Sequence, residues 1–257
     1  MTLEEIKASY PYLYETHMHT CEGSKCAVSS GAEQARAYKE NGYTGIIVTD
    51  HNWGGNTAVD RSLPYEEWID TFFKGYENAK AEGDKIGLQV FMGMEAGFGG
   101  PELLIYGFTI PEMKKHPELW KASAKEMTDI FHKMGAMVIQ PHPFREAFYI
   151  HEIITYEDFV DGIEIVNASH SNPHDGSRNK CVYDEKAIKL AADNNLPGTA
   201  GSDQHSTEAF GGGVAFPTPL KDINDYNSRI MNREDYVLTN GRQWFTKEGK
   251  LLLTCVE

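Results

Sequence analysis

The chain has 257 residues, of which 40% are hydrophobic and 24% charged, with a formal net charge of −14 at pH 7. This composition describes a globular chain with a sizeable core and excludes extensive disorder. The negative charge opposes binding to duplex nucleic acid or an anionic membrane, both of which rely on Lys and Arg. No apolar run approaches the roughly 18 residues of a membrane-crossing helix. The acidic opening MTLEEIKASY is unlike a secretory leader, and four cysteines do not make a disulfide framework, so a cytoplasmic location is expected.

In chain order, Tyr10 to Thr16 reads as a strand. Side chains two apart on a strand share a face, so His17 and His19 emerge together at its end as half of a metal site. An isolated H-x-H is as readily a structural pair, and the rest of the chain decides. Cys21 and Cys26 follow in a small polar loop that offers a thiolate ligand. Ser30 with Glu33 fits a capping box for a helix bearing Ala32, Ala35 and Tyr38 and ending near Gly42. The apolar stretch Tyr43 to Thr49 is a buried strand ending in Asp50-His51-Asn52. Pro64 suits a first helical position, and Trp68, Phe72, Tyr76 and Ala79 then recur at helical spacing as core packing up to Gly83.

Ile86 to Met92 is the next strand, running into Gly93-Met94-Glu95. Gly97, Gly99 and Gly100 loop into Glu102 and a strand from Leu103 to Phe108. Pro117 begins a helix with Met127, Ile130, Phe131 and Met134 inward and His132 solvated, closed by Gly135. Ala136 to Gln140 is a strand ending in Pro141-His142-Pro143. Thr155 and Asp158 suggest a further helix start before the strand Gly162 to Val166, which ends at Asn167. A long polar loop carries His170, His174 and Arg178. A helix through Ala187, Leu190 and Ala191 follows, then a strand from Leu196 to Gly201 that ends in Ser202-Asp203-Gln204-His205. From about residue 218 a helix around Lys221 to Arg233 and a hairpin from Phe245 to Leu252 complete what reads as a single domain over 1–257.

Strand–helix alternation implies a parallel sheet covered by helices. Polar residues at nearly every strand end favour closure into a barrel of seven or eight strands, because a barrel gathers those ends in one ring. Imidazole and carboxylate together suit Zn, Mn or Fe. Glu95 has two oxygens with which to bridge two ions, and a pair of ions roughly 3.5–4 Å apart generates hydroxide at neutral pH and steadies both oxygens of a phosphate ester displacement. Arg145, three residues beyond His142, is the strongest candidate for gripping phosphate; Arg178 and His170 are weaker ones. Asp50 is read as an orienter behind the ligands. His116, His151 and His174 are read as ordinary surface residues.

The set THMHT, TDHN, GMEAG, QPHPFR and GSDQH resembles the PHP family, the polymerase and histidinol phosphatase domains, over most of the chain from His17 to His205. The resemblance implies a distorted (β/α)7 barrel, two to three divalent metal ions and phosphoesterase activity on a small phosphorylated substrate. It implies that His17, His19, Glu95 and Asp203 hold one metal, that Glu95 bridges to a second at His142, and that His51 and His205 hold a third. Two positions depart from the family pattern. Cys26, with Glu22 as a rival, stands where a further histidine commonly follows the H-x-H, and Glu102 stands where a histidine commonly precedes the next strand. Hydrolysis of amides or lactones, and metal binding without catalysis, are the alternative readings.

Overall fold

In the computed structural model, residues 1–171, 181–208 and 210–255 are described. A short helix α1 (Leu3–Ser9) precedes β1 (Tyr12–Met18). Helix α2 (Gly31–Glu40) starts at the expected capping box, with Ser30 and Glu33 each satisfying the other's backbone N–H. It leads to β2 (Gly45–Val48), which lies parallel to β1. The aromatic stripe belongs to two helices, α3 (Tyr65–Phe72) and α4 (Lys74–Ile86), that break at Phe73. Parallel β3 (Gln89–Gly97) follows. Gly75, near the start of α4, has no room for a side chain. A Cβ there would lie 1.9 Å from Thr20 Oγ1, and one on Gly31 would lie 2.1 Å from the Gly75 carbonyl oxygen. The two glycines let α2 and α4 approach each other and the loop after β1 closely.

The alternation then departs from seven (β/α) units. The four residues 98–101 are too few for a crossover helix, which needs a dozen or more. Strand β4 (Glu102–Tyr106) therefore turns back antiparallel to β3, with Gly97 opposite Glu102. It is also antiparallel to β5 (Met137–Gln140). Between them lie α5 (Ile110–Lys114), a 3-10 turn Pro117–Lys121 and α6 (Ala124–Lys133). The expected helix from Pro117 is thus two pieces, the second opened by its own capping box at Ser123 and Glu126. His132 is exposed, as expected, and lies 2.9 Å from Asp161. No helix forms at Thr155–Asp158; the segment makes a single turn at Tyr156–Val160, and parallel β6 (Gly162–Asn167) follows.

A one-turn helix α7 (Ala168–Ser171) precedes the part of the polar loop that lies outside the described residues, and with it Arg178 and His174. Helix α8 (Cys181–Asp193) leads to β7 (Gly198–Gly201), parallel to β6. The sheet curls so that β7 comes back against β1: Asp203 N–H donates to the His17 carbonyl and His19 N–H to that of Gln204, each at 2.8 Å. On the other side of β1 an unforeseen strand, β8 (Gly212–Phe216), runs antiparallel. Helix α9 (Ile223–Met231) and strands β9 (Val237–Asn240), β10 (Gln243–Thr246) and β11 (Leu251–Thr254) extend the same sheet, whose order is β11-β10-β9-β8-β1-β2-β3-β4-β5-β6-β7. The last two form the expected hairpin. The main core, with Trp68, Phe72, Tyr106 and Phe131 among its largest members, lies within and behind the curl.

Candidate metal centre

The strands β1, β2, β3, β5 and β7 deliver their last residues to one mouth, and that is where the polar residues converge. His17, His19, His51, Glu95, His142 and Asp203 are all buried. Glu95 is the hub. Its Oε1 lies 3.2 Å from Nε2 of both His17 and His142, and its Oε2 lies 2.8 Å from His51 Nδ1 and 3.4 Å from His19 Nε2. Asp203 Oδ1 reaches His19 Nε2 at 2.9 Å and His17 Nε2 at 3.4 Å. Glu102 joins the ring because β4 is reversed, so its first residue returns to the mouth that β3 has just reached. Its carboxylate stands 3.5 Å from His51 and 3.7 Å from His142.

Ligand atoms cluster within reach of one another in four overlapping sets: His17, His19, Glu95 and Asp203; His19, His51 and His205; His51, Glu95 and Glu102; and His17, His142 and Glu164. His142 and Asp203 both have positive φ, 29° and 56°, a strained conformation for residues other than glycine and one often found at functional sites.

Two carboxylates that sequence reasoning missed hold this ring from behind. Glu164, in the middle of β6, lies 2.9 Å from His17 Nδ1 and accepts from the His142 N–H at 3.1 Å and from Asn167 Nδ2 at 2.8 Å. Glu15, in β1, accepts from the backbone N–H groups of His17 and Ser202, each at 2.9 Å, and so ties β1 to the segment after β7. A signal was present for both, since each is a lone acid in a strand whose neighbours are buried. Asp50 lies behind the ring. It accepts from Thr20 N–H at 2.7 Å and from Ser24 Oγ at 2.6 Å, and Ser24 Oγ lies 3.1 Å from His19 Nδ1 and accepts from His51 N–H.

The other candidates sit around the rim. Arg145 donates to Asp203 Oδ2, to His170 Nε2 at 2.9 Å and to Ser169 Oγ at 3.3 Å. His170, read from sequence as a weak phosphate candidate, thus serves as a support for Arg145. Cys26 is exposed and outside the four clusters. Burial works to raise its pKa, but hydrogen bonds with His205 and His51 bring the thiol down to about 6. Glu22 is removed from the candidates because its carboxylate accepts from Gly31 N–H at 3.0 Å and from Asn78 at 2.9 Å, capping α2 instead.

The donor set fits divalent cations. His17 Nε2, His51 Nδ1 and Glu95 Oε2 are buried without a well-formed hydrogen bond, and all three point at the shared centre. Burial alone would raise the Glu95 carboxyl, yet the imidazoles of His17 and His51 hold it well below the usual carboxylate range. Burial likewise works against a charged His17, but Glu164, Glu95 and Asp203 push its pKa well up. The carboxylates thus favour positive charge at this point, which a divalent cation held by neutral imidazoles would supply. Burial and the carboxylate of Glu95 raise Glu102 to about 8.

Residues 184–228 match the PHP_C family model, described as PHP-associated. No curated protein matches the chain significantly. Among solved structures, a two-domain protein from Bacteroides vulgatus containing a predicted PHP-like metal-dependent phosphoesterase superposes with a TM-score of 0.64 at 15% identity, over 91% of this chain and 66% of that one. The chain therefore spans just under two thirds of that protein, and at this identity the likeness is one of fold. A protein from Bifidobacterium adolescentis assigned as a metal-dependent phosphoesterase gives a TM-score of 0.48 at 14% identity, over 86% of this chain and 96% of that one. An amidohydrolase from Chromobacterium violaceum, with bound sulfate and no metal, gives 0.49 at 13% identity, over 75% and 87%. No helix among the described residues is long and apolar enough to cross a membrane.

Proposed function

We propose that the chain is a PHP-domain protein and a metal-dependent hydrolase of phosphate esters, acting on a small phosphorylated substrate at a di- or trinuclear site. The observation that carries this reading is the position of Glu95, whose two carboxylate oxygens face two different pairs of histidines. One cation would be held by His17, His19, Glu95 and Asp203, a second by Glu95 with His142, and a third by His51 and His205, with Cys26 and Glu102 completing the outer positions. Imidazole and carboxylate suit Zn, Mn or Fe, and a thiolate from Cys26 would favour Zn or Fe. Bound there, such ions supply Lewis acidity, acidifying water and stabilising charge that develops on oxygen.

The chain's own residues do the rest. Arg145, partly buried at the edge of the ligands and steadied by His170, orients the phosphate through its planar fork. Glu164 fixes the orientation of His17 and the backbone at His142, and Asp50 acts on His19 and His51 through Ser24. Residues 1–257 are taken as one domain, a reading supported by the continuity of the sheet from β1 out to β11.

Chelator-treated protein reloaded separately with Mn, Zn and Fe is expected to regain turnover of phosphomonoesters, diesters or nucleotides. Metal-restored cleavage of amides or lactones without any phosphate hydrolysis would overturn the assignment. So would stoichiometric metal with no turnover on any of these substrates.

A further inference from the structure

The cleft over the metal centre is far larger than a phosphate group. It measures about 630 Å³ and is lined at one end by His51, Glu102, Arg145, Asp203 and His205, and elsewhere by Phe148, Tyr149 and two glycine-bearing loops. A volume of that order accommodates a substantial organic group beside the phosphate.

The surfaces away from the polar end are of an unusual kind. Phe148 is 97% exposed, and its described ring contact is with Tyr149, edge-on at 5.3 Å and 89°. Tyr149 is itself half exposed and hydrogen-bonded to Arg145, so the pair is continuous with the phosphate-orienting side chain. The loops contribute bare backbone. A Cβ on Gly54 would lie 2.0 Å from the Gly97 carbonyl oxygen, and one on Gly97 would lie 2.8 Å from Gly55 Cα. At Gly54 and Gly97 the two loops pack backbone to backbone, which leaves no room there for a side chain. Beyond the metal end, Asn56 and the Tyr149 hydroxyl are the polar side-chain groups of the lining, and the rings of Phe148 and Tyr149 are its flat apolar surfaces. A phenyl ring held in water gains most from a flat apolar partner, which stacks on it and covers it.

Building on the phosphoesterase reading, we infer that Phe148 and Tyr149 select the leaving group: the substrate is a phosphomonoester whose alcohol carries a planar aromatic ring, seated on Phe148 and Tyr149 while Arg145 turns the phosphate toward the cations. Phe148 is a specificity residue with no part in the bond cleavage itself.

The test compares benzyl phosphate with cyclohexylmethyl phosphate, which match in reach and bulk and differ in ring planarity. The metal-reloaded protein is expected to favour the benzyl ester about tenfold in kcat/KM, chiefly through KM, from ring stacking. Calorimetric titration with the uncleavable 2-phenylethylphosphonate and 2-cyclohexylethylphosphonate should show the same order. Phe148→Leu keeps an apolar side chain and is expected to bring both ratios near one, whereas Phe148→Tyr keeps the ring and is expected to preserve them. Because the side chain is almost wholly in solvent, neither change threatens the fold. Equal use of both esters by the unaltered protein, or a ratio that Phe148→Leu leaves in place, would overturn the inference while the phosphoesterase reading stands. No cleavage of either ester and no binding of either phosphonate by a protein that turns over other phosphate esters would overturn the inference alone; no turnover of any phosphate ester would overturn the phosphoesterase reading, and the inference with it.

Discussion

The inner and outer parts of the polar ring are built differently. His17, Glu95 and His142 belong to strands or their immediate ends, are cut off from solvent, and are gripped from behind. Glu164 holds the far nitrogen of His17 and the backbone of His142, while Glu15 fixes the backbone at His17. On the rim, Cys26 and His205 hang on loops, Glu102 opens a strand, and all three are wholly or partly exposed. A buried ligand atom has no water to turn to if it is misaligned, so its orientation has to be built in. A rim ligand can exchange with solvent, so its identity is less constrained. The two positions at which the chain departs from the PHP pattern that its motifs resemble, Cys26 and Glu102, both lie on the rim.

The largest expected effect tests the inner part directly. Glu95→Gln keeps the volume of the hub but removes the charge that faces four histidines. It is expected to lower kcat/KM on the order of 10³-fold, the upper range for loss of one preorganised electrostatic group, and to reduce bound metal by at least one equivalent on elemental analysis. Full metal content in this variant would break the comparison. Glu164→Gln comes next. It touches no cation position of the rim, and its loss should weaken metal binding about 10–100-fold, the usual consequence of removing a carboxylate that orients a ligating histidine. Titration against a competing chelator measures it, and an unchanged affinity would mean that the support behind His17 is incidental.

Arg145→Ala should disturb metal content less than either of these yet remain visible in kinetics. Removing a hydrogen bond to a charged group costs about 1.5–3 kcal/mol. KM for a phosphorylated substrate is therefore expected to rise roughly tenfold to a hundredfold with metal retained. An unchanged KM and kcat would take Arg145 out of the phosphate site.

The parts of the molecule differ in how far the sequence reveals them, for the same physical reason. His17, His19, His51, His142 and Asp203 were legible because each ends a strand, and a curled sheet collects strand ends whatever the details of pairing. The reversal of β4 was legible in principle from the loop at 98–101, which no helix fits, although the alternating pattern around it obscured this. Glu15 and Glu164 were not read as functional because their roles depend on which strands lie side by side. Nothing local to Glu164 says that His17, 147 residues away, will stand beside it. At Thr155 and Asp158 the capping residue types were present and Tyr156, Phe159 and Val160 pack on the core, but β6 begins at Gly162, too soon for more than a single turn. At Ser123 the reverse held: the capping box was written in the chain, but Pro117 drew the start of the helix upstream.

The smallest expected effect sharpens the contrast at its outer edge. Cys26→Ser removes a thiol that hydrogen-bonds His51 and His205 but belongs to none of the four ligand clusters. Glu102→Gln removes a carboxylate that stands 3.5 Å from His51 on a partly exposed strand end. Each is expected to cost less than about tenfold in activity, at or below the lower bound for loss of an orienting partner. Each should also release at most one equivalent of metal and leave the ions of the inner part in place. The two variants should differ in which metal they prefer, because Cys26→Ser deletes the one soft donor and Glu102→Gln a hard one. Reloading each with Zn and with Mn separates them: the serine variant should lose preference for Zn, and the glutamine variant should gain it. A loss of all bound metal from either would show that the cations depend on the rim no less than on the interior, and that the four overlapping clusters act as one indivisible site.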